Sequence, residues 1–294
     1  KSKFRVITLI LLVGQMQIGR QVWMVQTSGD LSLTDRMRLL SHSLLPVLQQ
    51  SVKMYAFASS MTKTPKILQI DDLHLPDSVE IKHAIEKMQS CSSIALQNHC
   101  LRTWYYAVAF SKLQKLKMDE ELLAVSCLLH DLGMTEQHYQ HHVNCRCFAG
   151  QGAYAAKDWS IQRGWQTPRA DQLFDAISMH MNPFVALEDG VEAHLLQQAA
   201  SCDVIGSRGF EFSTTFRTQL NQQYPRLDFN QHMIEFTQHE AQARPKSRTA
   251  MVVQSGFKYQ STINQTDAVQ KSNGVFIKED GSGLGVVNSI DIVA

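Results

Sequence analysis

The chain has 294 residues, 44% of them apolar, which is enough for one large domain with extensions or for two domains. Lys plus Arg is 28 and Asp plus Glu is 27, a net charge of +1, so the basic excess expected of a nucleic-acid partner is missing. Six cysteines occur, and Cys100, Cys127 and Cys202 fall on predicted buried helix faces, as small core side chains do. Cys145-Arg146-Cys147 has one intervening residue, unlike a zinc knuckle. The cysteines fit a reducing compartment better than a disulfide framework, and a cytoplasmic protein is expected.

At the amino end, Lys1, Lys3 and Arg5 precede the apolar run Val6 to Val13. This is similar to the charged and apolar parts of a signal peptide, is too short to span a bilayer, and lacks a small-x-small cleavage site after it. Export or membrane anchoring through residues 1–20 is the alternative to a cytoplasmic location, and a natural start near Met61 is a further reading. Residues 1–60 read as an N-terminal extension, signal-like or weakly ordered, and Thr62 to Pro76 as an extended entry.

From Asp77 the pattern is helical. Asp77 or Ser78 caps a helix to about Gln89, Ser92 to Leu113 forms a second, and Asp119 to Leu132 a third with Asp119, Glu120 and Glu121 at its positive end. Gly133 marks its stop. Thr135 to Asn144, with His138, His141 and His142, reads as a solvated polar loop. Further helices are predicted over Phe148–Gly164, Arg169–Met181, Gly190–Gly206, Thr214–Gln223 and Asn230–Ala243. β-branched alternation is scarce, so the fold class is all-α, a helical bundle over residues 61–245. Residues 246–294 read as a weakly ordered tail with a short strand near Val286.

The chemistry-bearing feature is His130-Asp131 at the end of the apolar run Ala124-Val-Ser-Cys-Leu-Leu129. Helical neighbours point about 100° apart, and burying both side chains is costly unless a charge sits against them. A metal ion meets that need. His99 lies near the start of the preceding helix, and two helices joined by a short turn pack antiparallel, which brings His99 to the doublet's end of the pair. Taken alone, His99 also suits a core histidine. Asp203, among small and apolar residues, supplies a fourth group, with a helix cap as the other reading. His99, His130, Asp131 and Asp203 form a two-nitrogen, two-oxygen set that suits zinc, iron(II) or manganese without choosing among them.

This His99, His130-Asp131, Asp203 order resembles the signature of the HD-domain superfamily of metal-dependent hydrolases, over residues 75–210. Asn98-His99-Cys-Leu-Arg102-Thr-Trp104-Tyr105 and Cys127-Leu-Leu-His-Asp-Leu-Gly-Met-Thr135 are similar to the cyanamide hydratase-like branch, as are Phe148 and Gly152-Ala153. Ala149 stands where that branch carries an acidic residue. The resemblance implies an all-α HD-type bundle with a divalent metal between helices, activating water against a small-molecule substrate, one with a nitrile-like group such as cyanamide. Asp131 would ligate and take a proton. His180 is the second-shell or acid–base candidate, or else a helix-end histidine facing the dipole. Arg102, one turn from His99, either holds an anionic substrate, pairs with a carboxylate of the site, or makes a structural salt bridge. Two further readings stand beside the hydratase: a phosphohydrolase, which needs several convergent basic groups where only Arg102 adjoins a ligand, and a non-enzymatic module with a structural metal.

Overall fold

Side-chain caps set most helix starts in the computed structural model, which describes residues 17–59 and 69–256 together with the backbone of three short strands beyond them. Helix α1 spans Gln21–Thr27 and α2 Leu33–Ala58, the latter opened by a capping box between Ser32 and Asp35. Ser78 caps α3 (Val79–Cys91), Ser93 caps α4 (Ile94–Gln114), and Asp119 caps α5 (Glu120–Leu129), each accepting a backbone N–H of the first turn. Then come α6 (Phe148–Gln162), α7 (Thr167–Met179) and α8 (Val191–Ile205), which stops at Gly206 in the left-handed region, φ 72°. The series closes with α9 (Thr214–Gln223), α10 (Phe229–Ala243) and α11 (Arg248–Gln254).

Helix α5 is the centre of the bundle. Every residue from Leu122 to Leu129 is buried, the mark of a helix apolar on all sides. It packs on α3, α4, α7 and α8, while α4 lies along α8 and α6 along α7. Ser126, the polar exception inside α5, bonds back to Leu122 O at 2.7 Å. No described helix is long and apolar enough to cross a membrane.

Two segments depart from the expectation. Residues 17–59 hold α1 and α2 with the turns around them, and Ile18, Trp23, Met24, Leu31 and Leu39 are buried in the common core. The strap before α1 is tied down by Asn182 Nδ2 donating to Ile18 O (2.7 Å) and by Gln21 N donating to Asp175 Oδ1 (2.9 Å). Helix α1 carries no side-chain cap, so its sequence gave no boundary signal. At the other end, α11 lies inside the stretch read as tail and is anchored by Arg248, fully buried and donating to Ser178 O at 2.6 Å. Three strands follow: β1 (Lys271–Ser272), β2 (Val275–Ile277) and β3 (Leu284–Val286), antiparallel in that order, so a strand does reach Val286. The leader-like run Val6–Val13 and the alternative start at Met61 lie outside the described residues.

The turn after α5 is held against the start of α6 by two glycines. A Cβ on Gly133 would land on Phe148 O, and one on Gly152 would come within 2.8 Å of Gly133 N. Neither backbone atom can move without shifting a helix. Gly133→Ala is therefore expected to cost about 1–3 kcal/mol or more, an overpacking penalty, and to lower Tm further than Gly164→Ala, where an added methyl meets nothing within 4 Å and only the strain of the left-handed backbone (φ 86°), about 1 kcal/mol, is added. Thermal melts of the two variants check this.

Candidate metal centre

Helix α5 ends at Leu129, sooner than the sequence pattern indicates. His130 keeps helical angles, Asp131 turns out of them (φ −102°, ψ 16°), and a tight turn over Leu132–Met134 follows. Leaving the helix between the two residues is what lets neighbouring side chains converge. His130 Nε2 and Asp131 Oδ2 are 3.3 Å apart, His99 Nε2 lies 3.3 Å from the same oxygen, and the two Nε2 atoms are 3.1 Å apart. All three residues are buried, and they form a cluster of metal-donor type among the described residues.

The tautomers follow from the outer nitrogens. His130 Nδ1 faces Cys127 O at 2.8 Å and His99 Nδ1 faces Asp203 Oδ2 at 2.7 Å. Each acceptor requires a proton on Nδ1, so in the neutral rings both Nε2 atoms are lone pairs. Asp131 Oδ2, buried and without a hydrogen-bond partner, is a third acceptor aimed at the same point. Three converging acceptors with no donor require a positive charge between them. Consistent with this, His130 is held well above the ordinary histidine range: burial works against the charge, and the Asp131 carboxylate outweighs it. Asp131 is held well below the carboxylate range, where burial is overcome by His130 and then His99. A cation and a proton compete for this place, and the donor set fits a divalent ion of borderline character.

Asp203 stands outside the trio. Its Oδ2 takes the Nδ1 side of His99, and its two oxygens also accept from Arg102 Nε (2.8 Å), Arg102 Nη2 (2.9 Å) and Arg226 Nη1 (2.9 Å). Burial raises its pKa, but Arg102, Arg226 and His99 together hold it well below the usual range. The arrangement is that of a carboxylate orienting a ligand histidine rather than of a direct fourth donor.

Arg102 is committed within the protein. It is fully buried, grips Asp203 with two nitrogens and spends the third on Tyr224 O at 2.9 Å. A bidentate carboxylate within reach decides its orientation. Of the alternatives open for Arg102, the geometry gives the pairing with a carboxylate of the site.

His180, at the end of α7, faces the centre. Its Nδ1 bonds Ile177 O at 2.5 Å, so Nε2 is a lone pair, 3.7 Å from Asp131 Oδ1. Burial, with His130 adding to it, pushes its pKa down to about 3. The histidine loop is less solvated than its polarity implies. His138 is buried against Thr135 Oγ1 (2.8 Å) and pushed down to about 4 by burial, while His142 stacks on Tyr154 and His141 reaches Asp158. All six cysteines are free.

Three contributors gave no sequence signal. Arg226 comes from the turn between α9 and α10, and Phe229 opens α10 and stacks on His99 with centroids 4.3 Å apart. Glu240, fully buried, receives Phe148 N at 3.0 Å and so supplies the uncapped start of α6 with an acceptor from another helix. Each is brought in from beyond the ligand-bearing helices, where local pattern carries no information about the site.

Residues 96–205, the segment bearing His99, the doublet and Asp203, match the HD domain family. HD domains bind divalent metals, in agreement with the donor cluster. The chain is also similar to two proteins of Saccharomyces cerevisiae, the cyanamide hydratases DDI2 and DDI3, each 28% identical over 133 residues, 44% of this chain. The match spans 58% of the length of each relative.

His99→Ala, His130→Ala and Asp131→Ala are expected to lose bound metal, whereas Asp203→Asn should retain it with affinity reduced about 10–100-fold, the usual effect of a partner one layer out. Metal analysis on the purified variants separates the two classes. Binding displaces a proton from His130, whose folded pKa is raised, so affinity is expected to rise as pH increases, by about tenfold per unit while one proton is released. Competitive chelator titrations at two pH values measure the slope.

Proposed function

We propose that this protein is a metal-dependent hydratase or hydrolase that adds water to a small, uncharged substrate, with a nitrile-like group such as that of cyanamide as the leading candidate. The observation that carries the reading is the commitment of both nearby arginines to Asp203, beside a centre of three acceptors. A phosphate substrate needs convergent cationic donors, and Arg102 and Arg226 already serve a carboxylate. The similarity to cyanamide hydratases points the same way.

His99, His130 and Asp131 would hold the ion, and Asp203 would orient His99. A divalent cation supplies, when bound, a lowered water pKa and an electrophilic contact for the group attacked. Asp131 keeps Oδ1 for proton handling while Oδ2 points at the two imidazoles. His180 is neutral near pH 7 and presents Nε2 as a lone pair next to Oδ1. In hydration of a nitrile, the water oxygen bonds to carbon, one carbon–nitrogen π bond breaks, and the proton released from water reaches the nitrile nitrogen. His180 Nε2 and Asp131 Oδ1 are placed to carry that proton. Phe148, edge-on to His180 with centroids 5.9 Å apart, and Phe229 against His99 keep the surroundings apolar.

Purified protein loaded with zinc, iron(II) or manganese is expected to convert cyanamide to urea, and Asp131→Ala to abolish this. His180→Ala should lower kcat by about 10²–10⁴, the range for loss of one acid–base group, with metal content unchanged. Turnover of phosphate esters that depends on Asp131, with no turnover of cyanamide or other nitriles, would replace this reading by the phosphohydrolase one. Full metal content with no activity on either class would leave a structural metal.

A further inference from the structure

Helix α2 has two apolar faces, and the core uses one. Leu39 and Ser43 are buried, Arg36 reaches Gln254 and Pro245 O, Gln50 bonds Ser207, and Phe57 meets Phe210. These contacts seat the inner face on α11 and on the turn after α8. A second face, about 120° round the helix from the first, carries Leu33, Met37, Leu40, Leu44, Leu48 and Tyr55, spaced by three, four or seven residues and so aligned in one stripe. All are exposed, from 49% at Leu40 to 78% at Leu33. No charged residue lies within the stripe.

We propose that this stripe is the contact between two copies of the chain, α2 against α2 across a twofold axis. From Leu33 to Tyr55 it runs about 33 Å at 1.5 Å per residue. With its flanking apolar side chains it presents a patch on the order of 800 Å², more than the few hundred Å² ordinarily left on a monomer and about what one side of a standard interface buries. A second α2 matches it in length and chemistry, as a self-complementary contact requires. A membrane surface is a poor match, because interfacial helices line the polar face with lysine and arginine. In α2, Arg36 is turned onto Pro245 and Gln254 and Arg38 lies beside Asp35, leaving Lys53 to serve.

The full chain, studied by light scattering or sedimentation in the micromolar range, is expected to show twice the 33.2 kDa mass of one copy. Leu44→Glu with Leu48→Glu should give the single-copy mass with unchanged circular dichroism. Leu44 sits at the middle of the stripe, so Leu44→Cys meets its own counterpart whether the helices run parallel or antiparallel. Oxidation should trap that variant as a covalent dimer, whereas Gln49→Cys, exposed but off the stripe, should stay uncoupled. A wild-type monomer overturns the proposal. In that case, binding of wild type to anionic phosphatidylserine vesicles would assign the stripe to a membrane, and a lowered Tm of the Glu variant to a segment of the same chain. A dimer that survives both Glu substitutions and fails to couple through Leu44→Cys overturns it as well.

Discussion

The centre of the structure depends on where one proton sits on His99. Asp203 accepts it at Nδ1, and Nε2 is thereby left as a lone pair facing His130 and Asp131. The bond has this sense only while Asp203 is ionised, and a carboxylate that deeply buried would ordinarily resist ionisation. Arg102 and Arg226 reverse the balance. Three elements far apart in sequence, α4, α8 and the turn before α10, are thus tied to one carboxylate, and the tie determines the donor character of a ring on its other side. A paired buried charge is weak evidence for stability. Here its effect is to choose a tautomer, which an apolar replacement of similar volume cannot do.

The other half of the site is set by backbone approach rather than by charge. Gly133 lets the turn after His130-Asp131 lie directly on Phe148 O, and Gly152 admits the same turn from the side of α6. Glu240 fixes the start of α6 through Phe148 N and is itself held by Tyr139 and Arg244. Arg248 grips Ser178 O and Asn182 Oδ1, two residues either side of His180, while Asn182 also holds the strap at Ile18. The carboxy-terminal helix and the strap before α1 therefore brace the one histidine that faces the centre from α7. Neither segment has a residue in the donor trio, yet the position of His180 depends on both.

What the sequence made legible follows the range of the interactions. Helices with a Ser or Asp cap, α3, α4 and α5, begin within two residues of their predicted starts, because capping is local. The convergence of His99 with His130-Asp131 was also readable, since antiparallel packing of neighbours is nearly forced by a short turn. The role of Asp203 was not. Its carboxylate type was visible, but whether it meets a cation or a histidine proton depends on Arg226, twenty-odd residues on and in a turn without periodicity. Arg102 shows the same limit: one helical turn from His99 it could face substrate or carboxylate, and only the fold decides. Helices α1 and α11 were hidden for a different reason. Each has only seven residues: α1 buries Trp23 and Met24, and α11 buries Arg248, Thr249, Ala250 and Met251, runs too short to show a helical period.

Charge accounting then connects the fold to the chemistry. Asp203 carries one negative charge and is met by two arginines, so this layer is net positive before any cation is added. Asp131 is the single anion in the donor trio, set against two imidazoles that are neutral when they ligate. With a divalent ion in place the inner layer is positive too, because Asp131 is the one carboxylate of the cluster among the described residues. An anionic substrate would be drawn to such a place but would find its natural partners, the guanidinium forks, turned away and occupied. A small neutral molecule needs none of them. It needs an electrophilic contact, a nearby lone pair to move a proton, and walls that exclude bulk water. Phe148 and Phe229 supply apolar walls and His180 the lone pair, and on the reading proposed above the commitment of both arginines to Asp203 is what disfavours a phosphate.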